Sequence, residues 1–247
     1  MAKRALVTGG SRGIGAAISS DLAALGIQVT IASRKSDSLS RLVSSFPGNG
    51  HEKYEIDFHE DNQIDSFLNF VSKANFDIVV NNAGGNLGIT DPLAGYQTFK
   101  KVFDFNFGLA IEINSRALPG MIARNWGRIT HISSISALEN QGPPQYCSAK
   151  AALNAYIRSV GRFVAPNGIV MTGVMPGAVM TAGGYWDEVQ KERPAHAENF
   201  LRDRMAIKRF GEPSEISGVV AFLVSEASSF MTGSIVLADG GQGRTFE

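Results

Sequence analysis

The 247-residue sequence has little of what builds disulfide or metal scaffolds. It contains one cysteine, Cys147, which excludes an internal disulfide bond and a cysteine-rich zinc site. Its four histidines are scattered along the chain, and none is spaced from another as metal ligands are. We therefore expect neither a disulfide scaffold nor a metal site.

An excess of charge of either sign is also absent. The 23 basic and 23 acidic residues cancel, and no block of basic residues is present. A nucleic acid or a membrane surface is therefore not an expected partner, whereas a small molecule is. No apolar run approaches the roughly 20 residues of a membrane span. The three apolar residues at positions 5–7 are too few for the core of a secretion signal, so we expect a cytoplasmic protein.

Short apolar runs alternate with segments of helical spacing along the whole chain, and the 27 glycines cluster where the runs end. This alternation predicts an α/β fold, a seven-stranded parallel sheet with helices on both faces, in one domain over residues 1–247. The predicted strands are Arg4 to Thr8, Gln28 to Ser33, Tyr54 to Asp57, Ile78 to Asn81, Arg128 to Ser133, Ile169 to Met175 and Ser234 to Ala238.

A glycine-rich turn between the first strand and the first helix predicts a phosphate site. Glycine permits a tight turn and a close approach of backbone N–H groups to a diphosphate at a helix N-terminus. The spacing here is G-x-x-x-G-x-G, and a purely structural turn is the alternative interpretation. The predicted cofactor-binding residues of this turn are Gly9, Ser11, Arg12, Gly13, Ile14 and Gly15.

The end of the second strand indicates which dinucleotide would bind. NAD-binding proteins place a carboxylate there, against the ribose 2′-hydroxyl. This chain instead has Ser33, Arg34 and Lys35, with no carboxylate before Asp37, and Arg12 is a second nearby cation. A hydroxyl and cations suit a 2′-phosphate, so the sequence favours NADP(H) over NAD. The alternative is that Arg34 and Lys35 are ordinary solvated loop charges.

A tyrosine and a lysine, Tyr146 and Lys150, lie one helical turn apart on a predicted helix starting near Gln145. A neighbouring ammonium favours the phenolate, so we expect Lys150 to lower the pKa of Tyr146 and to make it a general acid or base. The predicted fifth strand ends at Ser133 and Ser134, whose hydroxyls can bind a carbonyl oxygen. Capping of the next turn is the structural alternative for these serines.

These motifs together, in this order, resemble the classical short-chain dehydrogenase/reductases over the whole chain. The motifs are Thr8-Gly-Gly-Ser-Arg-Gly-Ile-Gly15, Asn81-Asn-Ala-Gly84, Asn106, Ser133-Ser134, Tyr146-x-x-x-Lys150, Pro176-Gly177 and Asp239-Gly240-Gly241. The resemblance implies a Rossmann-type doubly wound domain that transfers hydride between a nicotinamide and a carbonyl or alcohol carbon. It also implies a homotetramer or a homodimer.

The resemblance further implies a role for individual residues. Tyr146 exchanges the proton, Lys150 lowers its pKa and holds the nicotinamide ribose, and Asn106 anchors a water next to Lys150. The family's usual spacing selects Ser133 as the ligand of the substrate oxygen, whereas the strand pattern selects Ser134, which we predict. Asp57 would meet the adenine. The other implied cofactor contacts are Asn82, Ala83, Gly84, Pro176, Gly177, Val179 and Thr181.

We therefore predict an NADP(H)-dependent oxidoreductase of ketones or secondary alcohols that works mainly as a reductase. The alternatives are a 3-oxoacyl-[acyl-carrier-protein] reductase, a dehydrogenase of a sugar-like metabolite, and a nucleotide-sensing subunit without catalysis. Residues 182–210 contain glycines, aromatic residues and Pro194, a pattern that predicts two short helices. They would form a lid over the substrate, or else a helical pair that only packs on the sheet.

Overall fold

A computed structural model describes residues 2–34 and 36–245. Seven parallel strands form one sheet in the order β3-β2-β1-β4-β5-β6-β7. The strands are β1 (Arg4–Thr8), β2 (Gln28–Ser33), β3 (Glu52–Glu55), β4 (Ile78–Asn81), β5 (Gly127–Ile132), β6 (Ile169–Pro176) and β7 (Ile235–Ala238). The predicted parallel sheet of seven strands is confirmed.

Nine α-helices of the described residues connect these strands. They are α1 (Gly13–Ala24), α2 (Asp37–Ser44), α3 (Asp61–Ala74), α4 (Tyr96–Phe103), α5 (Leu109–Arg124), α6 (Pro144–Val164), α7 (Tyr185–Glu192), α8 (Pro194–Arg204) and α9 (Pro213–Leu223). A five-residue π-helical segment, Asp104–Gly108, joins α4 to α5. None of the helices in the described ranges combines the length and apolar character that a bilayer span requires.

Local sequence explains where several helices begin. Ser36 accepts a hydrogen bond from the Leu39 backbone N–H at the start of α2. Pro144 and Pro213 occupy the first positions of α6 and α9, where a missing N–H costs nothing. In α9 the Glu212 and Glu215 side chains complete a reciprocal capping box.

The core consists of two apolar layers, one on each face of the sheet. One layer contains Phe67, Phe76 and Ile113 from the side of α3 and α5. The other contains Ile18, Leu22 and Val220 from the side of α1 and α9. Strands β4, β5 and β6 are buried along their whole length, as expected for a parallel sheet covered on both faces. The polar residues that follow these strands therefore lie at the carboxyl-end edge of the sheet.

The prediction for the third strand was wrong by two residues. It was placed at Tyr54 to Asp57, whereas β3 runs over Glu52–Glu55 and pairs with β2 from Thr30 to Ser33. Because β3 lies at the edge of the sheet and three of its four residues are exposed, it lacks an apolar run to mark it. Its bounds are fixed by pairing with β2, which a single sequence does not reveal.

Candidate active site

A cleft of about 960 Å³ runs along the carboxyl ends of the strands. Chain order reverses between β1 and β4, and ligands of open parallel sheets bind at such a switch point. The volume lies within the range of about 300–1,000 Å³ that ligand pockets occupy. Among the predicted residues, those lining the cleft are Gly9, Ser11, Arg12, Gly13, Ile14, Gly15, Ser33, Arg34, Asp57, Asn82, Ala83, Gly84, Ser133, Ser134, Tyr146, Lys150, Pro176, Gly177, Val179 and Thr181.

The glycine-rich turn forms a cradle that side chains would fill. Gly9 and Gly13 adopt φ values of +64° and +54°, which favour glycine. A Cβ atom on Gly15 would overlap the Gly9 carbonyl oxygen. Asn82 fixes the turn, because its Nδ2 donates hydrogen bonds to the Thr8 and Gly9 carbonyl oxygens at 2.9 and 3.1 Å. The close packing of backbone around this turn suits the approach of a diphosphate.

The N-terminus of α1 points its free backbone groups into this cradle. The helix begins at Gly13, its N-cap residue Arg12 makes no capping hydrogen bond, and no acidic side chain lies in the first turn. The first N–H groups of a helix need acceptors, and they attract anions. A phosphate group bound at this position would supply those acceptors.

The far end of the cleft, next to β2, carries hydroxyl and charged groups. The Ser33 and Ser11 hydroxyls are 2.7 Å apart, and Arg34 is exposed beside them. Lys35 lies outside the described residues. Asp57 accepts a hydrogen bond from the His59 ring at 2.7 Å, and this contact lowers the pKa of the Asp57 carboxyl group. His59 is a cleft residue that the sequence analysis missed.

Arg12 lines the cleft and contacts the segment that follows β6. Its guanidinium donates a hydrogen bond to the Gly183 carbonyl oxygen at 3.2 Å, in the segment that follows β6. Thr181 of the same segment packs on the turn, since a Cβ atom added to Gly13 would lie 3.0 Å from the Thr181 Cγ2. Arg12 therefore joins the cradle to the start of the predicted lid.

The predicted reactive residues come together at the other end of the cleft. Lys150 is 3% exposed, and its Nζ donates to the Ile132 carbonyl oxygen at 2.8 Å. The same Nζ lies 5.5 Å from the centre of the Tyr146 ring. The Tyr146 hydroxyl is hydrogen-bonded to the Ser134 side chain. One helical turn of α6 and the end of β5 thus place a phenol, an ammonium group and a hydroxyl on one wall.

The two serines that follow β5 have different environments. Ser133 also lines the cleft, but it is buried and its hydroxyl donates a hydrogen bond to Asn154 Oδ1 at 2.6 Å. Ser134 lines the cleft, contacts Tyr146, and accepts a hydrogen bond from the Ser136 backbone N–H at 3.1 Å. This geometry favours Ser134 over Ser133 as a ligand for a substrate oxygen.

The pKa of Tyr146 differs in direction from the sequence-based expectation. Partial burial raises the pKa of this phenol, and the hydrogen bond with Ser134 opposes the increase only in part. Burial also lowers the pKa of Lys150 to about 7. Desolvation destabilises the charged form of both groups and is the largest cause of each shift. The Tyr146 hydroxyl therefore holds its proton at neutral pH.

Asn106 lies behind this wall and does not line the main cleft. Its Oδ1 accepts from the Gly85 backbone N–H at 2.9 Å, and its Nδ2 donates to the carbonyl oxygens of Gly85 and Val102. A cavity of about 10 Å³ between Asn106 and Lys150 also contacts Asn81. The Oδ1 of Asn81 is buried without a hydrogen-bond partner among the described residues. The side chain of Asn106 thus holds the turn after β4 in place.

A buried polar network underlies the site. Asn114 receives a hydrogen bond from Asn81 at 3.0 Å, and its Nδ2 lies 2.9 Å from His131 Nε2 and 3.2 Å from the Tyr156 hydroxyl oxygen. His131 Nδ1 lies 3.3 Å from the Thr172 carbonyl oxygen, which can only accept. The ring is therefore neutral, with its proton on Nδ1 and with Nε2 accepting from Asn114. Burial lowers the pKa of His131 to about 4.

We expect this histidine to make stability depend on pH. Between pH 6.5 and 4 the unfolded chain binds a proton that the folded state excludes, so the free energy of unfolding falls as the pH falls, by up to about 3 kcal/mol. Urea unfolding of wild type and His131→Gln across this range measures the effect. His131→Gln is expected to lose this part of the dependence of the free energy of unfolding on pH. His196→Gln, on the exposed face of α8, is expected to keep it. Equal slopes for all three proteins would contradict the assignment.

The segment 182–210 contains two helices, α7 and α8, and Pro194 begins the second. Trp186 is the centre of an aromatic cluster, with its ring centre 4.1 Å from that of Phe200 and 4.9 Å from that of Phe210. Tyr185 and Trp186 also line the cleft. The two short helices predicted from the sequence are present and lie beside the reactive residues.

Comparison with known proteins agrees with this architecture. Residues 9–242 match the family model described as enoyl-(acyl carrier protein) reductase. A 3-oxoacyl-[acyl-carrier-protein] reductase of Rickettsia prowazekii is 32% identical over 241 residues, which cover 97% of this chain and 96% of the relative.

Two solved structures extend the likeness. A 3-oxoacyl (acyl-carrier-protein) reductase from Agrobacterium tumefaciens, with NADP bound, has a TM-score of 0.89 at 31% identity and covers 97% of this chain and 93% of its own. L-sorbose reductase from Gluconobacter frateurii, in complex with NADPH and L-sorbose, has a TM-score of 0.89 at 27% identity and covers 99% and 98%. With its doubly wound sheet, glycine turn and Tyr-Lys pair, the chain belongs to the short-chain dehydrogenase/reductase family.

Proposed function

We propose that this chain is an NADP(H)-dependent oxidoreductase that interconverts a ketone and a secondary alcohol, with reduction as the main direction. One observation carries the proposal. A single cleft has a glycine-rich helix N-terminus at its centre, cationic and hydroxyl groups at one end, and Ser134, Tyr146 and Lys150 at the other. The spacing of these groups along one cleft suits a dinucleotide whose nicotinamide lies next to Tyr146.

The residues of the cleft fit such a cofactor part by part. The turn from Gly9 to Gly15 would hold the diphosphate, Ser33 and Arg34 the 2′-phosphate, and Asp57 the adenine. The remaining predicted contacts would hold the ribose and nicotinamide; they are Asn82, Ala83, Gly84, Pro176, Gly177, Val179 and Thr181. When bound, the nicotinamide supplies or accepts the hydride. The relatives solved with NADP or NADPH support this choice of cofactor.

The side chains would handle the proton. In reduction, the Tyr146 hydroxyl donates its proton to the substrate oxygen as that oxygen becomes an alcohol. Its raised pKa keeps the phenol protonated and ready to donate at neutral pH. The Ser134 hydroxyl binds the same oxygen and stabilises the charge that develops on it. Lys150, whose pKa is about 7, can gain or lose a proton near neutral pH at little cost.

Asn106 would help to supply protons to Lys150, because it lies on the wall of a small cavity next to that side chain. The small cavity between Asn106 and Lys150 is at the lower size limit for one water molecule. Such a water would also satisfy the unpartnered Oδ1 of Asn81. We propose that a water held there exchanges protons with Lys150 after Tyr146 has given up its own.

Cofactor preference tests the proposal. We expect kcat/KM for NADPH to exceed that for NADH, and Arg34→Ala to lower the NADPH value by about 10- to 100-fold, since a charge-assisted hydrogen bond is lost. The NADH value is expected to stay unchanged. The exposed Arg41 of α2, which does not line the cleft, provides the matched control Arg41→Ala. Equal or better use of NADH by the wild type would contradict the assignment.

A 3-oxoacyl thioester is the second candidate substrate. It is favoured by the identity of 31–32% to proteins named as reductases of such thioesters. A sugar-like ketone is the third, since L-sorbose reductase shares the fold at 27% identity. Oxidation of NADPH with 3-oxoacyl thioesters, ketoses, quinones and steroids separates these classes. A protein that binds NADPH but consumes none with any carbonyl would instead act as a nucleotide sensor.

The proposal extends to the whole molecule. We propose one domain over residues 1–247, with residues 182–210 as a lid whose Tyr185 and Trp186 already reach the cleft. Exposed apolar side chains, among them Phe222 of α9, Phe230 and Leu237 of β7, support self-association into a homotetramer or homodimer. We propose the cytoplasm as its location.

A further inference from the structure

A second cavity, of about 320 Å³, opens from the reactive end of the cleft. The two spaces share Ser134, Gly177, Tyr185 and Trp186 as lining residues. The second cavity extends from the site of proton transfer towards α8. A substrate with its carbonyl group against Ser134 and Tyr146 would place the rest of its body here. The volume is near the lower limit of about 300 Å³ for ligand pockets, which suits a compact molecule.

Arg204, the last residue of α8, lines this second cavity. Its guanidinium makes one charged contact, with Nη2 3.6 Å from the Glu139 Oε2, which is too long for a hydrogen bond. Its Nε is buried without a partner. Within residues 2–34 and 36–245, the guanidinium donates no hydrogen bond. An arginine has five N–H donors, and a buried donor such as this Nε is costly to leave unpaired.

Glu139 does not satisfy this cation. The carboxylate already accepts hydrogen bonds from the backbone N–H groups of Arg244 and Thr245 and from the Gln141 side chain. These bonds, with that of Arg244 the largest contributor, lower the pKa of Glu139. The Glu139 oxygens thus bond to the C-terminal segment. Their contact with Arg204, at 3.6 Å, neutralises the charge of that guanidinium only in part.

The two glutamines of the wall, Gln141 and Gln242, are committed to other partners. Gln242 Oε1 accepts from the Ala178 backbone N–H at 2.7 Å, and its Nε2 donates to the Gln141 side chain. No other lysine, arginine or histidine of the described residues lines this cavity. Trp186 and Phe200 form its apolar side. The cavity therefore offers the Ser134 hydroxyl, the Arg204 guanidinium and an aromatic surface, with Ser136 and Asn140 as further polar lining residues.

We infer that the substrate is a compact oxo acid, whose carboxylate is bound by Arg204 while its ketone oxygen contacts Ser134 and Tyr146. This inference rests on the proposed function. A carboxylate accepts two parallel hydrogen bonds from a guanidinium and supplies the acceptors that Arg204 lacks. The single negative charge of a carboxylate also matches the charge of one guanidinium that Glu139 partly neutralises. The two negative charges of a phosphate dianion would exceed the positive charge available there. Neither a neutral ketose nor a saturated acyl chain would use this cation.

The test compares acids with their neutral methyl esters. With NADPH as cofactor, kcat/KM is measured for 3-oxobutanoate, 4-oxopentanoate and 5-oxohexanoate and for each methyl ester. The wild type is expected to prefer at least one acid to its ester. Arg204→Gln lowers kcat/KM for that acid by about 10- to 100-fold, mainly through KM, and leaves the ester unchanged. Arg202→Gln is the control, because Arg202 is exposed on the same helix, is paired with Asp203 at 2.8 Å, and does not line the cavity.

The outcomes separate the two proposals. If the wild type uses acids and esters equally, or if Arg204→Gln lowers both alike, the oxo-acid assignment is wrong while the reductase assignment stands. The same holds if only other carbonyl compounds are reduced. If no carbonyl compound supports NADPH oxidation by any of these proteins, the proposed function itself fails. Thermal unfolding of each variant verifies that the comparison is made on folded protein.

Discussion

Replacing Tyr146 with phenylalanine is expected to lower kcat for carbonyl reduction by about 10²- to 10⁴-fold, the usual contribution of a general acid. The phenylalanine ring keeps the contacts of α6 and removes only the hydroxyl that is hydrogen-bonded to Ser134. The dissociation constant for NADPH, measured by fluorescence titration, is expected to change little. Loss of turnover with retained cofactor binding is the signature of a missing proton donor.

Tyr156 provides the matched control for this experiment. It lies on the same helix, is partly buried, and its hydroxyl contacts Asn114 in the polar network, away from the cleft. Tyr156→Phe therefore removes the same atom from a comparable environment and is expected to keep nearly full activity. If Tyr146→Phe remained as active as Tyr156→Phe, another group would have to donate the proton and the mechanism would be wrong.

The second large effect distinguishes two adjacent serines. Ser134→Ala is expected to lower kcat by about 10²- to 10³-fold, the loss measured when one donor to a developing oxyanion is removed. Ser133→Ala removes a buried hydrogen bond to Asn154 and is expected to cost about 1–3 kcal/mol of stability with a much smaller effect on kcat. Steady-state kinetics and urea unfolding of both variants give the two readouts.

The pattern across the two variants decides the assignment. The account requires the kinetic loss at Ser134 and the stability loss at Ser133. The reverse pattern would assign the substrate oxygen to Ser133, as the family's usual spacing to the tyrosine suggests. Similar kinetic losses at both positions would mean that neither hydroxyl alone binds the oxygen.

Much of the cleft could be predicted because strand ends carry a local signal. Buried parallel strands are apolar runs, and a glycine or asparagine marks the point where each one leaves the sheet. Gly9 follows β1 and Asn82 follows β4 in this way, so parallel pairing alone brings them to one edge. The helical period alone was enough to predict that Tyr146 and Lys150 lie on one face of a helix.

The features that could not be predicted depend on tertiary contacts. The raised pKa of Tyr146 results from burial in the folded chain, which the helical spacing of Tyr146 and Lys150 does not reveal. The hydrogen bond from Arg12 to the Gly183 carbonyl oxygen joins residues 171 positions apart. Arg204 gave no signal, because a single arginine at the end of a helix is common. Only the folded chain shows that the buried Nε of Arg204 has no hydrogen-bond partner among the described residues, in a cavity that Ser134 also lines.

The most direct test of the central claim is a structure determined with NADP⁺ bound. The account predicts the diphosphate on the backbone N–H groups of residues 9–15 and the 2′-phosphate within hydrogen-bond distance of Ser33 and Arg34. It also predicts the nicotinamide ring between Tyr146 and the segment that begins at Pro176. A dinucleotide bound with its nicotinamide directed away from Tyr146 and Lys150 would contradict the account.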